Sequence, residues 1–334
     1  MPNIEENIRK SRTIKKSSLN TYLSALKTLK KKIEPNEPIT LLNTNFLKNY
    51  DDVMIHINKE PKITSQKNKL TAILVALNGD DPKPQKLIDK YGKTLKELSD
   101  KYVAFLQKQK KTDTQKINWI EYDELIGVIN EIMTEVKLRK ISSKKELTTK
   151  EYDILQQLLI LRTYIAFPLR NDFADMKILT IKQYNELEKE EKDNHNYLIL
   201  NPRNKKEFRI NQFKNQKYIG SKILEIPQKL NRVINLWLKH NKSGWYLTKC
   251  DRKTPMSPNG ITKYLNKIFQ KHTKKKISTS MIRHIVISNM LKDEPSLAQK
   301  EEKNKQIEDT FLHTNEMNQL YRKIDREGGN DIDE

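Results

Sequence analysis

Cysteine, glycine and proline are all scarce in this chain of 334 residues. Cys250 is the single cysteine, which excludes an internal disulfide framework and a cysteine-rich zinc site. We therefore expect an intracellular protein. The 8 glycines and 12 prolines are too few for a collagen-like or low-complexity chain, so we expect a globular protein.

Long apolar runs are also missing. The strongest run, residues 155–169, is interrupted by Gln156, Gln157 and Arg162. The opening residues, MPNIEENIRK, lack the apolar core of a signal peptide. The sequence therefore predicts no membrane segment and no membrane partner.

Acidic residues are outnumbered by basic ones. The chain has 64 lysines and arginines against 43 aspartates and glutamates, which gives a formal net charge of +21. That balance is typical of a protein that binds a polyanion, most commonly nucleic acid. A lysine-rich proteome would also produce a basic surface, so composition favours DNA or RNA without choosing between them.

The first hundred residues show helical periodicity. Residues 1–15 are polar and basic and predict a flexible arm. Behind Ser17, which can cap a helix, apolar residues recur at three- and four-residue spacings, and two similar faces follow. We therefore predict a small all-helical domain over residues 16–107. The three faces consist of Leu19, Tyr22, Leu23, Leu26 and Leu29; Leu70, Ile73, Leu74 and Leu77; and Leu87, Ile88, Tyr91, Leu95, Leu98 and Tyr102.

A polar stretch separates this region from the remainder of the chain. Residues 108–116 are basic and lack apolar periodicity, which predicts an interdomain linker. A second, larger domain is predicted over residues 117–325. Residues 326–334 are predicted to form a polar C-terminal tail.

Helix and strand signals are both present in the second domain. Thr148 and Glu151 form a candidate capping box, and Pro168 should end the helix that follows it. Three short β-rich runs, separated by turn-forming residues, predict a small antiparallel sheet. The predicted fold class is therefore mainly α with a small antiparallel β-sheet, an α+β architecture. The runs are Tyr197–Leu200, Phe208–Ile210 and Lys222–Ile226.

An ordered set of reactive side chains lies in this second domain. A tyrosyl oxygen attacks a phosphodiester only if it loses its proton, the phosphorane charge is neutralised and the departing sugar oxygen is protonated. Arginine forks suit the phosphorane, and nearby cations stabilise a tyrosyl oxyanion. The set therefore contains the groups that DNA strand cleavage by a tyrosine requires. It runs Arg170, a lysine-bearing polar hairpin, Arg283, His284, His313 and Tyr321.

Three members of this set also have a simpler interpretation. Arg170 could be a surface arginine paired with Asp172 or Asp175. His284 could be a core histidine whose ring is satisfied by Asp172. Tyr321, taken alone, would be a packing residue. The order of the whole set is what favours chemistry over packing.

This order resembles that of the tyrosine recombinases, the phage- and virus-type integrases. The resemblance covers residues 117–325, and residues 16–107 look like the family's helical core-binding domain. The resemblance implies a role for each matching position. Arg170 and Arg283 would clamp the scissile phosphate, Lys214 would protonate the leaving 5′-oxygen, His313 would hydrogen-bond the phosphate, and Tyr321 would form a 3′-phosphotyrosyl bond.

One departure from the family pattern lies on the helix of the second arginine. Ser280 occupies the position three residues before Arg283 where the family usually has histidine. The role of that histidine is therefore missing, or it falls to His284 or Lys276.

Two further departures concern the lysine and the last histidine. Leu312 replaces the usual glycine before His313, and the interval from His313 to Tyr321 is one residue shorter than the commonest spacing in the family. Lys214 fits the hairpin position best. The alternatives nearby are Lys217, Lys205 and Lys206.

The resemblance implies a site-specific recombinase or integrase that cleaves and rejoins double-stranded DNA with no metal, nucleotide or other cofactor. It also implies a homo-oligomer, a tetramer on DNA, located wherever the target DNA lies, and a viral or mobile-element origin. A type IB DNA topoisomerase has the same catalytic set but acts as a monomer. A non-catalytic DNA-binding protein derived from an integrase is the other alternative. Exchange of a C-terminal segment, with residues 325–334 as the candidate, would mark a recombinase.

Overall fold

The computed structural model describes residues 3–107 and 110–292, together with residues 305 and 307. The chain divides into two compact units, Met1–Lys108 and Gln109–Glu334. Among the described residues, no helix combines the length and the apolar character needed to span a bilayer.

Every secondary-structure element in the described part of the first unit is a helix. Its α-helices are α1 (Ile4–Ser11), α2 (Lys16–Ile33), α3 (Tyr50–Asn58), α4 (Ile63–Leu77) and α5 (Gln85–Gln107). α4 lies at the centre, because it packs against both α2 and α5. Leu70, Ile73 and Leu77 of α4 are fully buried, and its last residues, AILVAL, are apolar on every side. Such a helix is stable only when other helices enclose it.

The N-terminal residues are not the flexible arm that their polarity predicts. α1 begins behind Asn3, whose side chain accepts a hydrogen bond from the backbone N–H of Glu6. Ile4 and Ile8 are one helical turn apart, and both are buried in the core of the unit. The prediction was wrong because charge dominates the composition of this segment, whereas two isoleucines on one face are enough to anchor a short helix.

The stretch predicted as a linker, residues 108–116, overlaps a short helix, α6 (Asp113–Asn118). The side chain of Thr112 accepts from the backbone N–H of Gln115, and the side chain of Gln115 accepts from the backbone N–H of Thr112. This capping box is a local signal for a helix start. The basic composition of the stretch concealed it.

The second unit is built around one buried helix. Its remaining α-helices are α7 (Tyr122–Leu138), α8 (Thr149–Ala166), α9 (Ile181–Glu186), α10 (Lys189–Asn194), α11 (Gln216–Ile219), α12 (Gln228–His240), α13 (Pro258–Thr273) and α14 (Thr279–Met290). α8 packs against α7 and α12 and is buried on nearly all sides. The predicted capping box of Thr148 and Glu151 is confirmed at its start, and the helix ends ahead of Pro168. Arg170 therefore follows directly after a helix that is buried in the core.

A four-stranded sheet completes the second unit. Its strands are β1 (Lys177–Thr180), β2 (Tyr197–Leu200), β3 (Lys206–Ile210) and β4 (Lys222–Glu225), in that spatial order. The predicted strands β2, β3 and β4 are antiparallel neighbours, and β1 adds to β2 in parallel. The predicted class, mainly α with a small sheet, is confirmed. β1 was missed because it contains only two apolar residues and ends in Thr180, which caps α9.

Candidate active site

Arg283 is a buried cation in α14. The helix begins behind Ser278, whose side chain accepts from the backbone N–H of Met281. The Arg283 residue is only 2% exposed, and its Nε donates to the carbonyl oxygen of Pro168 at 2.7 Å. A buried guanidinium is costly unless it is hydrogen-bonded, so this bond fixes the orientation of the side chain.

Arg170 lies in the segment that leaves α8, residues 167–172, which we call the arginine segment. The Oη of Tyr164 donates to the carbonyl oxygen of Arg170 at 2.8 Å. The backbone N–H of Arg170 donates to Oδ2 of Asp172 at 2.9 Å. Both backbone polar groups of Arg170 are therefore bonded. Arg283, through Pro168, lies against the same segment.

Asp172 lies within electrostatic reach of both arginines. Burial raises the pKa of its carboxyl group, whereas the charges of Arg170 and Arg283 and the N–H of Arg170 oppose that rise. The carboxylate thereby offsets the repulsion between two cations, which a bound phosphate would also do. Arg170 contacts Asp172 through its backbone N–H, and the charge of Arg170 favours the ionised form of the Asp172 carboxyl.

Tyr164 contacts the arginine segment but is unsuited to be a nucleophile. It is fully buried, and burial, with a smaller effect of the Asp172 carboxylate, raises its pKa well above the ordinary value despite the nearby Arg283. A tyrosine that keeps its proton does not attack a phosphate. Tyr164 is therefore a structural residue. The sequence did not single it out because it lies within the apolar pattern of α8.

The predicted hairpin lysine lies between two antiparallel strands. Lys214 is exposed in the connection from β3 to β4, residues 211–221, which we call the lysine loop. Lys217 is also exposed, in α11 of the same loop, beside Tyr218, which is 85% exposed. The lysine loop therefore presents two cations and an aromatic ring to solvent.

Lys206 is an unsuitable alternative to these two lysines. It is buried at the start of β3, and its Nζ donates to side-chain oxygens of Asn204, Asn231 and Asn235 at 2.6, 2.9 and 2.6 Å. Burial also lowers its pKa. These bonds tie the β2–β3 turn to α12, so Lys206 has a structural role. Lys205, one residue earlier, is exposed in that turn.

Asn196 links the arginine segment to the lysine loop. It is buried immediately ahead of β2, and its side-chain amide bonds to the backbone of Asp172, Asn211 and Gln212. Its role was not predicted from the sequence. No local pattern distinguishes a buried asparagine that joins distant segments from an asparagine in a turn.

Two residues of α14, His284 and Ser280, bear on the role of the family's usual histidine. His284 is half-buried, and Ser280 is exposed on the first turn of the helix. Since neighbouring helical residues point about 100° apart, His284 and Arg283 face different directions. Whether His284 takes over the role of the family's usual histidine stays a prediction.

The last two members of the predicted set, His313 and Tyr321, lie outside the described residues. Their roles are therefore predictions from the sequence. Within the described ranges, no group of three or more histidine, cysteine, aspartate or glutamate side chains is placed to hold a metal ion. What the structure brings together is the arginine segment, Arg283 and, through Asn196, the lysine loop.

The chain was compared with protein-family models, curated proteins and solved structures. No protein-family model matches the chain, and no curated protein sequence matches it. Among solved structures, a crystal structure of XerA recombinase is similar over 96% of this chain and 92% of that chain, with a TM-score of 0.40 and 11% sequence identity. A likeness at this level does not define a function, so function has to be argued from the residues of this chain.

Proposed function

We propose that the protein is a site-specific DNA recombinase or integrase that cleaves and rejoins strands through a 3′-phosphotyrosyl intermediate. The observation that carries the proposal is the bond from the buried guanidinium of Arg283 to the segment that bears Arg170. Two arginines held by one hydrogen-bonded segment suit a phosphate, because a phosphorane needs preorganised positive charge. The second unit, Gln109–Glu334, is the proposed catalytic domain.

The proposed cleavage step balances without a cofactor. The Tyr321 oxygen gives its proton to water and bonds to phosphorus, and the bond from phosphorus to the 5′-oxygen breaks. Lys214 gives a proton to the departing 5′-oxygen, while His313 donates a hydrogen bond to the phosphate. Attack by a 5′-hydroxyl then reverses the step and releases the tyrosine. Catalysis depends on positioning and charge neutralisation, as in phosphoryl transfer generally.

Double-stranded DNA is the proposed partner. The formal net charge of +21 supports binding to the phosphate backbone, and affinity should fall steeply with salt as counterions are released. The helical first unit, Met1–Lys108, is the proposed core-binding domain. Strand exchange between two duplexes requires four active sites, so we propose a homotetramer on DNA.

One observation favours a different class of function. Ser280 is exposed on α14 where a catalytic histidine would be expected. A chain that had lost this histidine could still bind DNA through its basic surface without cutting it. A non-catalytic DNA-binding protein is therefore the second candidate.

Covalent capture tests the proposal. The protein is mixed with fragmented DNA from its own source and denatured, and the protein-linked fragments are sequenced. Tyr321→Phe is the test variant, and Tyr218→Phe, which alters an exposed tyrosine of the same unit, is the matched control. We expect capture by the wild type and by Tyr218→Phe only.

The captured sequences distinguish the alternatives. Fragments that converge on one site with inverted repeats support a recombinase, whereas scattered short motifs support a type IB topoisomerase. DNA binding by the wild type without covalent capture would instead identify a non-catalytic protein.

A further inference from the structure

The side-chain amide of Asn196 makes four hydrogen bonds. Its Nδ2 donates to the carbonyl oxygens of Asp172 and Gln212 at 2.8 and 2.9 Å. Its Oδ1 accepts from the backbone N–H groups of Asn211 and Gln212 at 2.8 and 2.7 Å. An asparagine amide has two donor hydrogens and two acceptor lone pairs, so its full capacity is used by backbone groups of two separate segments.

Asn196 lies at the point where β1 and β2 pair. Asn196 immediately precedes β2 and is only 6% exposed, and its carbonyl oxygen accepts from the backbone N–H of Lys177, where β1 joins β2. The residues it holds are 24 positions earlier in the chain, in the arginine segment, and 16 positions later, in the lysine loop. Asn196 therefore joins those two segments through hydrogen bonds.

We propose that Asn196 is a positioning residue that holds Lys214 in register with Arg170 during strand cleavage, an inference that rests on the proposed function. Asp172 is two residues beyond Arg170, and Gln212 is two residues before Lys214. One amide thus sets the separation of the two backbones that carry the phosphate clamp and the proton donor. A misplacement of about 1 Å at a reacting centre can cost on the order of a hundredfold in rate.

Asn241 provides a matched control in the same unit. It is buried to a similar degree, and its side chain also bonds to backbone groups, donating to the carbonyl oxygen of Trp245 at 2.7 Å and accepting from Ser243 N at 3.1 Å. All partners of its side chain lie within the turn 241–245. Its loss should weaken the fold without disturbing the arginine segment or the lysine loop.

The experiment compares two DNA substrates. One has the normal 5′-oxygen leaving group, and the other has a 5′-bridging sulfur, which departs without a proton donor. We expect Asn196→Ala to slow cleavage of the oxygen substrate at least about tenfold more than that of the sulfur substrate, because general-acid catalysis typically contributes about 10²- to 10⁴-fold. Asn241→Ala should slow both substrates by the same factor.

Equal slowing of both substrates by Asn196→Ala would overturn the positioning role while leaving the proposed function intact. The proposed function fails on a separate readout, since the wild type would then form no covalent adduct with either substrate. That outcome would overturn both proposals.

Asn196→Asp keeps the inference testable if the alanine variant does not fold. The aspartate has the same shape and keeps both acceptors, but its carboxylate faces the carbonyl oxygens of Asp172 and Gln212 without a donor. Protonation restores one donor. We therefore expect cleavage by this variant, as a fraction of wild-type cleavage at the same pH, to rise as the pH falls. A fraction that does not change with pH would contradict the proposal.

Discussion

The Nε of Arg283 donates to the carbonyl oxygen of Pro168 at 2.7 Å, a bond between residues 115 positions apart in the chain. It joins α14 to the segment that carries Arg170. An arginine can make this bond through Nε and still use its two terminal nitrogens as donors to another group. A lysine has only one nitrogen for both tasks. The geometry therefore requires an arginine, and positive charge alone is not enough.

Arg283→Lys should abolish most of the cleavage activity while preserving the net charge. We expect at least about a hundredfold slower covalent attachment to DNA, since removing one donor to a developing oxyanion typically costs 10²- to 10³-fold. The buried bond to Pro168 weakens too, so the free energy of unfolding should fall by about 1–3 kcal/mol. Arg162→Lys, at a half-buried arginine of α8, is the control. Unchanged cleavage by Arg283→Lys would remove Arg283 from the site.

The oxygen and sulfur substrates also show whether Lys214 or Lys217 is the proton donor. Lys214→Ala should slow cleavage of the oxygen substrate by about 10²-fold or more and should largely spare the sulfur substrate. Lys217→Ala, which removes an exposed lysine from the same loop, should affect both substrates slightly and equally. The reverse pattern would assign the proton donor to Lys217.

The sequence predicts those parts of the site that depend on local signals. The capping box of Thr148 and Glu151 and the helix stop at Pro168 are both local signals. Together they predict that Arg170 lies just after the end of α8. The strands on either side of Lys214 could be identified from their β-rich composition.

The remaining features depend on partners far along the chain. Asn196 acquires its importance from Asp172 and Gln212, and Tyr164 from the carbonyl oxygen of Arg170. Neither set of contacts leaves a periodic pattern in the sequence. The four residues of β1 carry too weak a strand signal of their own, and the parallel pairing with β2 is not visible in the sequence.

The helical N-terminus makes a prediction about stability. Ile8 is fully buried in the first unit, so Ile8→Ala should lower the free energy of unfolding by about 2–5 kcal/mol through lost burial and a residual cavity. Lys10→Ala, at an exposed position of the same helix, should change it little. Denaturant unfolding of the full chain measures both. Equal stability of the two variants would contradict the burial of Ile8 and would support the flexible arm that the composition predicts.

Glu60 should make the first unit sensitive to acid. Its side chain accepts from Lys32 at 2.7 Å and from Lys69, and these bonds lower its pKa from 4.5 to about 2. A lowered pKa in the folded state contributes stability above pH 4.5 that is lost as the pH falls towards 2. Glu60→Gln should therefore reduce the loss of thermal stability over that range, measured by calorimetry. Glu37→Gln, at an exposed residue, is the control, and identical profiles for the two variants would contradict the assignment.

The identity of the nucleophile is the most direct test of the account. Protein that is covalently attached to DNA is digested with nuclease and protease, and the peptide that retains a nucleotide is sequenced by mass spectrometry. We predict a nucleotide on Tyr321 and on no other tyrosine. A nucleotide on a different residue, such as the exposed Tyr218 of the lysine loop, would contradict the proposed mechanism.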